Sequence, residues 1–112
     1  MTQEFQIQGG TMTWLMDDVI RGGATFSLAE MTVRPGEISE LHKHDNCEET
    51  LFLRAGTICQ RVGDDWIEMQ PGDHCVIPRD FAHQTRNTGA SDAEMLLVYS
   101  EGIRHYEKLS PL

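Results

Sequence analysis

The sequence predicts an all-β domain, a sandwich or a barrel, and three observations carry that prediction. Its apolar or alternating runs are short and rich in Val, Ile, Thr, Phe and Trp. Turn residues interrupt them every eight to twelve positions. No eleven-residue window holds a 3.6-residue period, so no helix competes for the chain. At 112 residues, with 39% hydrophobic side chains, a single small-cored domain over 1–112 is expected.

The elements follow in order. Phe5–Gln8 ends at Gly9-Gly10, and Met12–Met16 ends at Asp17-Asp18. Met12, Trp14 and Met16 alternate, which makes them wall or interface residues. Ala24–Val33 stops at Pro35-Gly36, Glu40–His44 at Asp45-Asn46, and Glu48–Arg54 at Ala55-Gly56. Thr57–Val62 precedes Gly63-Asp64-Asp65, and Trp66–Met69 precedes Pro71-Gly72-Asp73. Cys75–Ile77 meets Pro78, Ala82–Asn87 meets Thr88-Gly89, and Glu94–Ser100 closes before Gly102. Gly, Asn and Asp at these corners supply the positive φ that tight turns need. The acidic pairs Asp17-Asp18 and Asp64-Asp65 read as solvated turns. Ile103–Leu109 is expected to form one helical turn or a tail.

Charge excludes several partners. Nine Lys+Arg against eighteen Asp+Glu leave a net charge of −9. Nucleic-acid binding rests on clustered basic side chains, and so does docking on anionic lipid. Neither is expected. No run of eighteen apolar residues is present to span a membrane. The opening MTQEFQIQGG lacks the basic stretch and apolar block of a signal peptide, so a cytoplasmic location is expected. Cys47, Cys59 and Cys75 form no CxxC pair, which argues against a disulfide framework or zinc ribbon. They read as small buried hydrophobes in a reducing compartment. Cys47 sits among histidines and acids, and the sequence leaves its role open.

Chemistry concentrates in the histidines. His42 and His44 are two apart in a β-like run, so their rings project to one face and can reach a single cation. Glu49 shares parity with Leu51 and Leu53, which points its carboxylate inward, where only a compensating cation makes it affordable. His83 opens another alternating run and can complete the cluster from a third strand. His74, after a turn, and His105, in the tail, belong to the surface. An HxH pair alone says little; the glycines and prolines around it say more.

The stretch Gly36-(five)-His42-Lys43-His44-(four)-Glu49-(six)-Gly56 resembles the first motif of the cupin superfamily, at 36–56, in every defining position. Gly72-(five)-Pro78-Arg79-Asp80-(two)-His83-(three)-Asn87 resembles the second, at 72–87, except that Asp80 stands where glycine is usual. Aspartate tolerates the left-handed turn conformation better than most residues. The resemblance implies a small antiparallel jelly-roll barrel, with residues 103–112 as a C-terminal tail. It implies that His42, His44, Glu49 and His83 bind one divalent metal per chain: iron, manganese, nickel, copper, cobalt or zinc. It also makes Gly36, Gly56 and Gly72 turn residues, Pro78 a rigid strand entry and Asn87 a structural position. Three imidazoles and a carboxylate suit these metals and disfavour calcium or magnesium.

Such a site keeps open coordination positions and a charge near +1, favouring an anionic or chelating small molecule. The expected function is a metal-dependent enzyme acting on a carboxylate, a diketone or enediol, or a sugar-acid derivative. Lyase, isomerase or tautomerase, and dioxygenase chemistry are open, with a non-catalytic ligand-binding or sensing module as the alternative. Gln60, polar on the face of Ile58 and Val62, is a candidate hydrogen-bond donor to substrate. Tyr99, ending an apolar run, is a candidate cavity wall or proton donor. Arg54 and Arg86 have outward parity, so no arginine clamp stands out. Met12–Met16 and Met95–Tyr99 look apolar on both faces, which predicts a homodimer.

Overall fold

A computed structural model describes residues 2–110. It contains eleven strands: β1 (Gln3–Ile7), β2 (Gly10–Met16), β3 (Ser27–Val33), β4 (His42–Lys43), β5 (Glu49–Ala55), β6 (Ile58–Val62), β7 (Asp65–Met69), β8 (His74–Ile77), β9 (His83–Asn87), β10 (Ala93–Tyr99) and β11 (Glu107–Lys108). Six form one antiparallel sheet in the order β1-β2-β3-β10-β5-β8, and five form another in the order β11-β4-β9-β6-β7. The fold is a jelly roll of two separate sheets rather than one sheet closed on itself. Among the described residues no helix is long and apolar enough to cross a membrane.

Alternation builds the core. Ser27, Ala29, Met31 and Val33 of β3 point inward, as do Ala93, Met95, Leu97 and Tyr99 of β10. On β5 the inward set is Glu49, Leu51 and Leu53, so the parity read from the sequence holds and the carboxylate enters with the leucines. Ile58 and Met69 close the core from the five-stranded sheet. Each such fully buried aliphatic side chain contributes about 1.5–3 kcal/mol. Gly36, Gly56 and Gly72 turn with φ of 76°, 83° and 98°. Asp80 is the one non-glycine residue among those described with positive φ, at 70°, and its carboxylate pairs with Lys43 at 2.9 Å.

Three sequence expectations change. Met16 does not share a face with Met12 and Trp14. The register shifts after Trp14, a bulge that sets Met16 opposite Leu28 on the outer face. Asp17 is not a solvated turn residue: it is buried, accepts from the Ile20 N–H at 2.8 Å and lies 3.4 Å from Arg104. The segment after Gly102 is not helical, because β11 pairs with β4 and satisfies its backbone there.

Gly102 makes that return path possible, since a Cβ there would sit 1.9 Å from the Ala24 carbonyl oxygen. Gly102→Ala is expected to cost about 1–3 kcal/mol of stability, read as a lower urea midpoint. Gly22→Ala, where nothing lies within 4 Å, should stay within about 0.5 kcal/mol. Cys47 belongs to the core, and burial, with Glu49 nearby, pushes its thiol up to about 11. At pH 8 about a thousandth of it is thiolate, the form that reacts. Iodoacetamide should therefore spare Cys47 in the native protein and label it in urea; equal labelling in both would contradict its burial.

Candidate metal centre

Strand pairing assembles the site from both sheets. His42 of β4 lies directly opposite His83 of β9, so both rings project to one face, with centroids 4.2 Å apart. His44 follows two residues after His42 with its ring 4.9 Å away. Glu49 arrives from the other sheet. Its Oε1 lies 3.2 Å from His83 Nε2 and 3.5 Å from His44 Nε2. One donor atom from each of His42, His44, Glu49 and His83 falls within 4.8 Å of the others.

Backbone carbonyls set the orientation of every ring in this cluster. His42 Nδ1 donates to the Glu40 carbonyl at 2.8 Å, His44 Nδ1 to His105 at 2.8 Å and His83 Nδ1 to Phe81 at 3.0 Å. A carbonyl only accepts, so each Nδ1 carries the proton and each neutral ring keeps a bare lone pair on Nε2. Those lone pairs converge on a carboxylate, another acceptor. His44 Nε2, His83 Nε2 and Glu49 Oε1 are buried without a hydrogen-bond partner. Only a proton or a cation between them removes the repulsion, and an N3O donor set of this kind fits a borderline transition metal.

The charges respond to one another. Burial works to raise the Glu49 carboxyl, but His83 and His44 beside it hold it well below the usual carboxylate range. Burial works to lower His83, and the Glu49 carboxylate outweighs it, so His83 is raised. His42 is pushed down to about 4 by burial and by its neighbour His83. Burial, with Glu49 adjacent, raises the Tyr99 phenol well above its ordinary range and keeps it protonated.

A cavity of about 350 Å³ adjoins the cluster and is lined by Met12, Trp14, Met31, Leu97 and Tyr99, among others. The C-terminal segment supplies more of it. The Tyr106 ring stacks on His42, 4.5 Å between centroids and 15° between planes, and its hydroxyl bonds to the Glu40 carboxylate. Asn46 fastens this segment, donating to the Ile103 carbonyl at 2.8 Å and accepting from the His105 N–H at 2.9 Å. Arg104 lays its guanidinium on Trp14, 3.5 Å from the ring centroid, and donates to Ser27 Oγ at 2.7 Å.

The other sequence candidates fall as follows. Tyr99 lines the cavity, with its ring 5.4 Å from that of His44. Gln60 faces inward but is absent from the cavity lining; its carbonyl accepts from the Thr85 hydroxyl at 2.5 Å. Arg54 and Arg86 point outward, Arg54 pairing with Glu30 at 2.5 Å. Asn87 is structural, donating to the Val33 and Ser91 carbonyls. The His74 and His105 side chains are exposed, although the His105 backbone orients His44. Arg104 and Tyr106 escaped the sequence reading; the aromatic ring of Tyr106 in a polar tail was the one hint.

Comparison with known proteins agrees with this architecture. The protein SchB of Streptomyces halstedii is 32% identical over 95 residues, covering 85% of this chain and 67% of that protein. An uncharacterized protein of Methanocaldococcus jannaschii is 31% identical over 81 residues, covering 72% and 65%. The chain thus spans about two-thirds of the length of these relatives. A mutant of Bacillus subtilis oxalate decarboxylase has the same fold, with a TM-score of 0.85 at 23% identity, covering 96% of this chain and 30% of that one. The formate complex of Lactobacillus farciminis oxalate decarboxylase gives a TM-score of 0.85 at 26% identity, covering 96% and 33%. The B. subtilis enzyme has Mn(II) centres. Residues 29–99 match the profile of the cupin domain, and the chain belongs to that family.

Proposed function

We propose that His42, His44, Glu49 and His83 hold one divalent transition metal and that the protein is a metal-dependent enzyme acting on a small oxygen-rich molecule. The observation that carries this reading is the convergence of bare imidazole nitrogens on a buried carboxylate. Iron, manganese, nickel, copper, cobalt or zinc suits that donor set. Bound there, the metal supplies Lewis-acid polarisation of a ligand oxygen, which serves lyase, isomerase or tautomerase, and dioxygenase chemistry alike. Glu49 lowers the net charge of the site to about +1. The Nδ1 bonds keep the rings aimed. Tyr99 stands in the cavity wall with its phenol held protonated by burial, a hydrogen-bond donor there. Tyr106 covers His42 from the solvent side. The substrate classes that suit such a site are carboxylates, diketones or enediols, and sugar-acid derivatives. The three unpaired cysteines suit a reducing compartment, the cytoplasm.

Metal analysis of the purified chain tests the site. One ion per chain is expected in the wild type and none in His44→Ala or His83→Ala; metal retained in both variants refutes the assignment. Tyr106→Ala should keep the ion with an affinity about tenfold weaker, because it loses only the support of a ligand.

We also propose a homodimer built on the outer face of the six-stranded sheet. There Leu28, Val98, Thr50 and Val76 lie in one row, and in the next Leu96 and Phe52 lie between Glu30 and His74. Phe52 is 39% and Val76 52% exposed. Apolar side chains exposed side by side on a sheet face mark an interaction surface. Light scattering at micromolar concentration should give twice the chain mass, and Phe52→Glu should give the monomer. A monomeric wild type overturns this.

A further inference from the structure

The cavity beside the cluster restricts the ligand further, resting on the metal-site reading above. The six-stranded sheet supplies Ile7, Met12, Trp14, Met31 and Leu97 to its lining. Apart from the exposed Gln6 and from Tyr99, whose ring adjoins that of His44, the polar side chains of the lining away from the cluster already have protein partners. Gln8 donates to the Ile38 carbonyl at 3.0 Å. Ser39 Oγ accepts from the Thr85 N–H at 2.8 Å, and the Thr85 hydroxyl donates to Gln60. Glu40 is engaged by Tyr106 and by Lys108 at 3.4 Å.

Arg104 is the remaining charge in the lining, and it is answered from within the protein. Asp17 lies 3.4 Å from its guanidinium, Ser27 accepts from it, and Trp14 covers its face. Charge without a protein counterpart is therefore confined to the metal end, where it amounts to about one positive unit. A second negative charge on the ligand would find no free cation. A hydroxyl-rich body would leave its hydroxyls unpaired against methionine, leucine and tryptophan. The cavity, about 350 Å³, falls at the small end of the range for organic ligands, roughly 300–1,000 Å³.

We infer that the ligand is a monoanionic, bidentate oxygen chelator carrying an apolar body, such as an enolised 1,3-dicarbonyl bearing a ring. Of the classes that the metal alone admits, this lining disfavours dicarboxylates and sugar acids. The chelating oxygens address the metal, and the body lies along Met12, Met31 and Leu97.

Titration calorimetry on the metal-loaded full chain tests this with acetylacetone, benzoylacetone, oxalate and gluconate. The first two share a chelating head and differ by a phenyl ring. Benzoylacetone should bind at least tenfold tighter than acetylacetone, and tighter than oxalate and gluconate. Met12→Gln should remove most of the advantage of benzoylacetone while leaving the metal content and acetylacetone affinity unchanged. If the two diketones bind equally, or if oxalate or gluconate binds tightest with metal content intact, the inference fails and the metal site stands. A wild type that takes up no metal overturns both.

Discussion

The buried carboxylate of Glu49 is the constraint around which this fold is arranged. Taking an unpaired charge out of water costs several kcal/mol, more than one buried leucine returns. The β-strand alternation that buries Leu51 and Leu53 forces Glu49 inward with them. The opposite sheet and the segment after it bring His83 and His44 to 3.2 and 3.5 Å from that carboxylate. Because backbone carbonyls occupy their Nδ1 positions, these rings offer lone pairs rather than protons. Such a cluster is electrostatically incomplete by construction, and a cation would complete it.

The position of the cluster between the sheets has a mechanical consequence. Glu49 belongs to the six-stranded sheet, while His42 and His83 belong to the five-stranded one. A cation bound by all four side chains would tie the two sheets together where β4 is only two residues long. The C-terminal segment reinforces that short strand by pairing with it, and the His105 carbonyl and Tyr106 ring brace two of the three histidines. Support of this kind, one layer out from the donor atoms, governs how well a site holds its geometry.

Charge is distributed unevenly over the molecule. The chain carries a net −9, yet Arg104 stands in the cavity lining, neutralised by the buried Asp17. Packing a guanidinium on Trp14 and beside a buried carboxylate adds to the backbone bonds that hold the start of the C-terminal segment. Arg104 thereby anchors the segment whose later residues hold His42 and His44.

Through its resemblance to the two cupin motifs the sequence also offered His83 and the turn at Asp80; by itself it determined the all-β class, the turns at Gly36, Gly56 and Gly72, the inward parity of Glu49 and the shared face of His42 and His44. These follow from the two-residue period of a strand and from local φ preferences, which short stretches of sequence encode. Only the tertiary structure decided that Asp17 is buried, that a bulge turns Met16 outward and that Arg104 and Tyr106 belong to the cavity. Asp17 and Arg104 are 87 positions apart, and His44 and His105 are 61. A polar tail has no apolar period to reveal its path. Its place depends on the unpaired edge of β4, and that edge exists only once the sheets have formed.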